Sequence, residues 1–209
     1  MNIIVFGASQ VYGFNDWKNG GWVQLLKSYV EKNSNFDDIV YNLGISGDTS
    51  TGILRRFEKE MKPRLEIDGR NIIIISAGIN DSQYSHGNKK KVRTPEYRYK
   101  KNIKKIIKVA RKYAKNVFFV GIIPVDDKKV QPIPWAPDKS YAHDICKHYS
   151  KAAKGVCKRE RVPFLDLFSI LSEINYKKLL DDGLHPTSKG HKIIFKHVLK
   201  FLAERGVFK

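Results

Sequence analysis

Residues 71–77 read Asn-Ile-Ile-Ile-Ile-Ser-Ala, with four isoleucines in succession. β-Branched side chains are stiff at χ1 and favour extended backbone. Successive side chains of a strand point to opposite faces, so a strand that is apolar at every position needs apolar cover on both sides. A central strand of a parallel sheet meets that demand. Four other stretches have strand character: Asn2–Phe6, Asp38–Leu43, Val117–Ile123 (stopped by Pro124) and Val162–Asp166.

Stretches with helical periodicity alternate with these strands. The first is Gly21–Lys32, with Trp22, Leu25, Leu26, Tyr29 and Val30 expected inward. The second, opened by Thr49 or Ser50 as a cap, carries Ile53, Leu54, Phe57 and Met61. The third, Pro95–Lys115, sets Ile103, Ile106, Ile107 and Ala110 against Lys100, Lys101, Lys104, Lys105 and Lys108. The last two are Ser140–Glu160 and Ser188–Glu204. Strand and helix alternate some five times, which predicts an α/β fold with helices on both faces of a parallel sheet. All 209 residues are expected in a single domain. Two irregular segments, Gln83–Thr94 and Asp126–Lys139 (with Pro132, Pro134, Pro137 and Trp135), are long enough to act as binding loops.

Composition narrows the class. Lys+Arg total 39 against 21 Asp+Glu, a net charge of +18, which attracts anionic partners in a salt-dependent way. The lysines lie along the outer faces of amphipathic helices, and basic and aromatic residues do not interleave as in a base-stacking groove. A solvated surface is the simpler expectation, and a nucleic-acid partner is not expected. Cys146 and Cys157, the only cysteines, cannot build a disulfide framework and are expected as packing thiols. His86, His143, His148, His191 and His197 lack the spacing of a metal cluster. No apolar run approaches the ~20 residues of a membrane-spanning helix. The first residues, Met1 to Gly7, read as a strand, not a signal peptide. A cytoplasmic location is the expectation.

In a parallel sheet, functional groups collect beyond the carboxyl ends of the strands. Those positions hold Gly7-Ala8-Ser9 after the first strand, Asn42 to Asp48 after the second, and Gly78-Ile79-Asn80-Asp81 after the third. Asp182-Gly183-Leu184-His185-Pro186 lies just before the last helix. A serine hydroxyl is a weak nucleophile until an imidazole takes its proton, so Ser9 needs His185. Asp182, three residues before His185, can bond the other ring nitrogen and fix its tautomer; Asp181 competes for that part with a less suitable spacing. The oxyanion formed on attack needs donors already in place, for which the backbone N–H groups of Ser9 and Gly44 and the Asn80 side chain are candidates. Glycine at 44 is expected to keep the backbone open to substrate. Asp81 is expected in an Asx-type turn, as a structural member of its pair.

These segments together resemble the blocks of the SGNH hydrolases, also called GDSL-type esterases and lipases. Ser9, Gly44, Asn80 and His185 match the four residues that name the family, in order, and Asp182 matches its triad acid. Gly20-Gly21-Trp22-Val23, Tyr41 to Thr49 and Ser76 to Ser82 extend the likeness over about residues 2 to 200. The resemblance implies a flavodoxin-like three-layer α/β/α sandwich around a central parallel sheet of about five strands. It also implies hydrolysis of carboxylic esters or thioesters through an acyl-serine, without metal or organic cofactor. Ala8 departs from the pattern, since the family usually has aspartate there, and a carboxylate that would help hold the serine loop is missing. The Gly-x-Ser-x-Gly elbow of α/β-hydrolases is absent. A second reading is a catalytically weak module of the same fold that binds nucleic acid or another anionic polymer through its basic surface. Sugar acetates, short-chain esters, acyl thioesters and lysophospholipids all stay open as substrates, some of them anionic, and so does the oligomeric state.

Overall fold

The structure is a computed structural model that describes residues 1–67 and 69–208. Five parallel strands, β1 (Asn2–Gly7), β2 (Ile39–Gly44), β3 (Asn71–Ile75), β6 (Asn116–Val120) and β8 (Phe164–Leu165), form one sheet in the order β2-β1-β3-β6-β8. A small antiparallel sheet, β5-β4-β7, joins β4 (Tyr84–Ser85), β5 (Asn88–Val92) and β7 (Lys139–Ser140). The long helices are α2 (Gly21–Asn33), α3 (Ser50–Met61), α4 (Glu96–Ala110), α6 (His143–Arg159) and α8 (Ser188–Ala203). The short ones are α1 (Ser9–Tyr12), α5 (Asp127–Val130) and α7 (Leu167–Ser172).

The uninterrupted apolar strands divide their side chains between two cores. Ile4, Phe6, Ile73, Ile75, Val117 and Phe119 face one layer, with Ile53 and Phe57 of α3, Ile103, Ile106 and Ile107 of α4, and Cys146 and Val156 of α6. Ile3, Val5, Ile72, Ile74, Phe118 and Val120 face the other, with Trp22, Val23 and Leu26 of α2 and Ile194, Val198 and Phe201 of α8. All four isoleucines of β3 are fully buried. At about 1.5–3 kcal/mol for each such side chain, this strand anchors both layers. Both cysteines are free and buried, and burial pushes each thiol up to about 12.

From β1 the chain passes to β2 on one side and, through α3, to β3 on the other. This reversal opens a crevice at the carboxyl ends of β1 and β3, where α/β sheets bind ligands. Segments 83–94 and 126–139 are more ordered than expected from sequence. They supply β4, β5 and β7, paired Tyr84 to Ser140 and Ser85 to Lys139. The predicted helix 140–160 starts only at His143 because residues 139 and 140 belong to that ladder. Tyr29 is 40% exposed, and Val23 takes its place on the inner face of α2. Among the described residues, no helix is long and apolar enough to cross a membrane.

Candidate active site

Ser9 opens α1 directly after β1 and is buried, with an exposure of 5%. Its hydroxyl lies 2.9 Å from His185 Nε2, and His185 Nδ1 lies 2.6 Å from Asp182 Oδ2. The hairpin before α8 shapes this contact. Leu180 bridges Pro186 antiparallel, Asp181 N–H donates to the His185 carbonyl, and Gly183 turns the chain at φ +87°. A Cβ on Gly183 would lie 2.5 Å from Lys129 Cβ, so glycine is required twice over there.

Asp182 Oδ1 accepts the N–H groups of Leu184 (2.9 Å) and His185 (2.7 Å), and Asn15 Nδ2 donates to Oδ2 at 3.3 Å. Burial alone would raise the Asp182 carboxyl. The bonds and charge of His185 outweigh it and hold the carboxyl below its ordinary value. A carboxylate can only accept, so Nδ1 carries the ring hydrogen and Nε2 is left to accept from Ser9. Asp181 makes no such contact with the ring; its carbonyl accepts from Lys129 Nζ instead.

Asn80, in the loop after β3, is buried. Its Nδ2 donates to the Asp48 carbonyl (2.9 Å), and its Oδ1 accepts from Tyr141 (2.7 Å). Asp81 points away from the cleft. Its carboxylate accepts Ser50 N–H (2.9 Å) and Ser50 Oγ–H (2.6 Å), so it fastens the start of α3 where an Asx turn was expected. Burial pushes its pKa up. Thr49 is the cap of α3, accepting from Gly52 N–H.

Gly44 differs from its expected part. Its N–H donates to Asn42 Oδ1 at 3.0 Å, and a Cβ there would stand 2.2 Å from Tyr12 N. Glycine at 44 therefore lets α1 pack directly on β2, where an open approach for substrate was expected. In the loop that follows, Asp48 N–H donates to the Ile45 carbonyl, whereas Gly47 N–H meets no acceptor among the described residues and Gly47 is exposed.

Arg56 of α3 escaped the sequence reading. Its Nη2 donates to the carbonyls of Gly7 (3.1 Å) and Leu43 (2.8 Å), and its Nε donates to Asp48 Oδ2 (2.8 Å). With alanine at position 8, this guanidinium ties the end of β1 to β2 and to the Asp48 loop. In the sequence it is one charged residue among several on that helix. Asp16, equally unforeseen, anchors the loop after α1 by accepting from Asn19, Gly21 N–H and Ser188. Two aromatic rings flank the imidazole: Phe14 at 4.5 Å (37% exposed) and Trp135 at 6.0 Å (55% exposed), centroid to centroid.

Residues 5–193 match the model of the GDSL-like lipase/acylhydrolase family. The chain belongs to that family. With the family comes its chemistry class, the hydrolysis of carboxylic esters. The GDSL esterase/lipase CPRD49 of Arabidopsis thaliana is 26% identical over 208 residues, 97% of this chain and 78% of the relative. Among solved structures, the lipase/acylhydrolase from Enterococcus faecalis superposes with a TM-score of 0.76 at 20% identity, covering 98% of this chain and 96% of the other. Axe2, an acetylxylan esterase from Geobacillus stearothermophilus, superposes at 0.74 with 18% identity, covering 96% and 93%. The GDSL-type sandwich predicted from sequence is the fold observed.

Proposed function

We propose that this GDSL-family hydrolase works through an acyl-enzyme on Ser9. The observation that carries the reading is the unbroken chain Ser9 Oγ, His185 Nε2, His185 Nδ1, Asp182 Oδ2, at 2.9 and 2.6 Å. Ser9 Oγ attacks the ester carbonyl as its proton passes to Nε2. Asp182 stabilises the imidazolium, which returns the proton to the departing alcohol or thiol. Water, activated by the same imidazole, then frees the acid and restores Ser9.

The oxyanion is met by Ser9 N–H, which as the first residue of α1 has no partner within the helix, and by Asn80 Nδ2. Gly44 N–H is already held by Asn42 Oδ1, which leaves Ser9 N–H and Asn80 Nδ2 as the two donors. The assembled triad favours catalysis over a non-catalytic module that binds anionic polymers.

The leaving group passes the faces of Phe14 and Trp135. Two part-exposed aromatic rings beside the imidazole suit the C–H face of a sugar ring better than a mobile acyl chain, which supports a short acyl group on a saccharide. The structural neighbour named an acetylxylan esterase agrees with this.

A fluorophosphonate probe should label one serine in the wild type and none in Ser9→Ala, and Ser9→Ala should lose ester turnover by several orders of magnitude with the fold intact. Equal labelling of both proteins sinks the mechanism. A p-nitrophenyl ester series should fall off beyond the shortest chains, and Trp135→Ala should raise KM for acetylated xylo-oligosaccharides more than for p-nitrophenyl acetate. A preference for long acyl chains sinks the saccharide assignment alone.

A further inference from the structure

Among the proposed oxyanion donors, Asn80 alone is a side chain, and its amide is useful only one way round. Turned over about its last bond, it presents an acceptor oxygen to the developing negative charge. We propose that Tyr141 is a positioning residue that fixes the Asn80 amide, and that the small antiparallel sheet holds Tyr141 in place for this purpose. The proposal rests on the reading of Asn80 as an oxyanion donor.

The hydrogen bonds determine one orientation. Gln83 Nε2 donates to the Tyr141 hydroxyl oxygen at 3.0 Å. The phenol therefore accepts from Gln83 and spends its single hydrogen on Asn80 Oδ1, 2.7 Å away. On the other side, Asn80 Nδ2 meets the Asp48 carbonyl at 2.9 Å, a group that can only accept. A flipped amide would set oxygen against that carbonyl and NH2 against a hydroxyl whose hydrogen is directed toward it.

Both flanks are anchored. Arg56 grips the Asp48 carboxylate, and Tyr141 is 2% exposed. The β4–β7 ladder pairs Tyr84 with Ser140 and Ser85 with Lys139, so Gln83 and Tyr141 directly flank its end. A backbone ladder thus delivers the two side chains together to the amide they orient. Burial raises the Tyr141 hydroxyl above its ordinary value, which favours the protonated, donating form. The two flanking bonds use one Nδ2 hydrogen and Oδ1. The second Nδ2 hydrogen has no acceptor among the described residues and is the one available to an oxyanion.

Tyr141→Phe keeps the ring and removes the hydroxyl. Since a whole oxyanion donor is worth about 10²–10³ in rate, misorienting one should lower kcat on p-nitrophenyl acetate by about 10-fold or more, with KM within about twofold. The decisive comparison repeats the change in Asn80→Ala, where it should cost less than about twofold, because a residue acting through Asn80 has nothing left to orient. Gln83→Leu, which leaves the tyrosine in place, should show a smaller loss with the same dependence on Asn80.

Equal losses in both backgrounds, or a loss confined to KM, would overturn the proposal. Side-chain amide exchange followed by NMR gives a readout independent of turnover. The Asn80 NH2 pair, identified by its absence from Asn80→Ala, should exchange faster in Tyr141→Phe, and unchanged exchange also overturns the proposal. A wild type without ester turnover defeats the esterase mechanism instead, and amide exchange then decides the positioning.

Discussion

The loops at 78–82 and 180–186 each place an aspartate close to a polar side chain at the cleft, Asp81 beside Asn80 and Asp182 three residues before His185. In the letters of the chain the two acids look alike; in the fold they serve different ends. Asp182 turns toward its neighbour's ring and is held ionised by it. Asp81 turns its back on the cleft, is fully buried, and accepts both donors of Ser50 at the start of α3. Which way a carboxylate points, and what donors wait there, settles whether it serves chemistry or scaffold.

Replacing each acid by its amide breaks the comparison most sharply. Asp182→Asn should lower kcat by about 10⁴-fold in an enzyme that stays folded, because the amide favours the wrong imidazole tautomer. Asp81→Asn should do the reverse. One of its two acceptor oxygens becomes a donor facing Ser50, at a cost of about 1–3 kcal/mol in stability, while kcat of the folded enzyme stays within a few-fold. Ester kinetics beside urea unfolding of both variants would show it. Loss of kcat in Asp81→Asn at unchanged stability would place that acid in the chemistry after all.

The two acids also differ in what a reader of the sequence could have known. The meeting of Ser9, His185 and Asp182 was legible because the proposed serine mechanism needs a base and an orienting acid, and the strand ends of a parallel sheet leave few places for them. The sheet itself was legible from Ile72–Ile75, since apolar residues at consecutive positions demand cover on both faces. Gly44 was misread because a glycine is explained by what its missing Cβ would strike, and Tyr12 comes from a distant segment. Arg56, Tyr141 and the β4–β7 ladder were invisible for the same reason. Their roles are hydrogen bonds between groups that only the fold brings together, and two-residue strands have no periodicity to detect.

Opposite pKa shifts give the two acids opposite pH slopes. The ordinary value of both is 3.8. Asp182 is lowered in the fold, so its stabilisation is complete above that value and is lost as pH falls through the lower, folded one. Asp81 is raised, so its contribution runs the other way: stability declines as pH rises from 3.8 through the folded value and is flat above it. Unfolding measured between pH 3 and pH 6 should therefore find acid loss shallower than wild type in Asp182→Asn and steeper in Asp81→Asn. Parallel curves for the two variants would show that the two environments do not differ as described.

The smallest expected effect sharpens the contrast by adding a third buried titrating group, on the serine side of the cleft. His191 of α8 is fully buried, accepts Trp22 N–H at Nδ1 (3.2 Å) and donates from Nε2 to the Phe14 carbonyl (3.2 Å). Both nitrogens are used by the neutral ring, and a proton on Nδ1 would face the Trp22 N–H. Burial lowers its pKa below 6.5, and the Phe14 carbonyl and the Asp16 charge offset this only in part. Below pH 6.5 the unfolded chain binds a proton that the folded chain refuses, so stability should decline from there down to the folded pKa and then level off. His191→Gln can keep an acceptor for Trp22 and a donor for Phe14 without titrating. It should leave stability near pH 7.5 almost unchanged and remove the decline that sets in below pH 6.5. Because Phe14 packs on His185, the kcat–pH profiles of wild type and His191→Gln should coincide wherever both proteins are folded. A loss of kcat well ahead of unfolding, absent from His191→Gln, would instead make His191 part of how the site holds its aromatic wall.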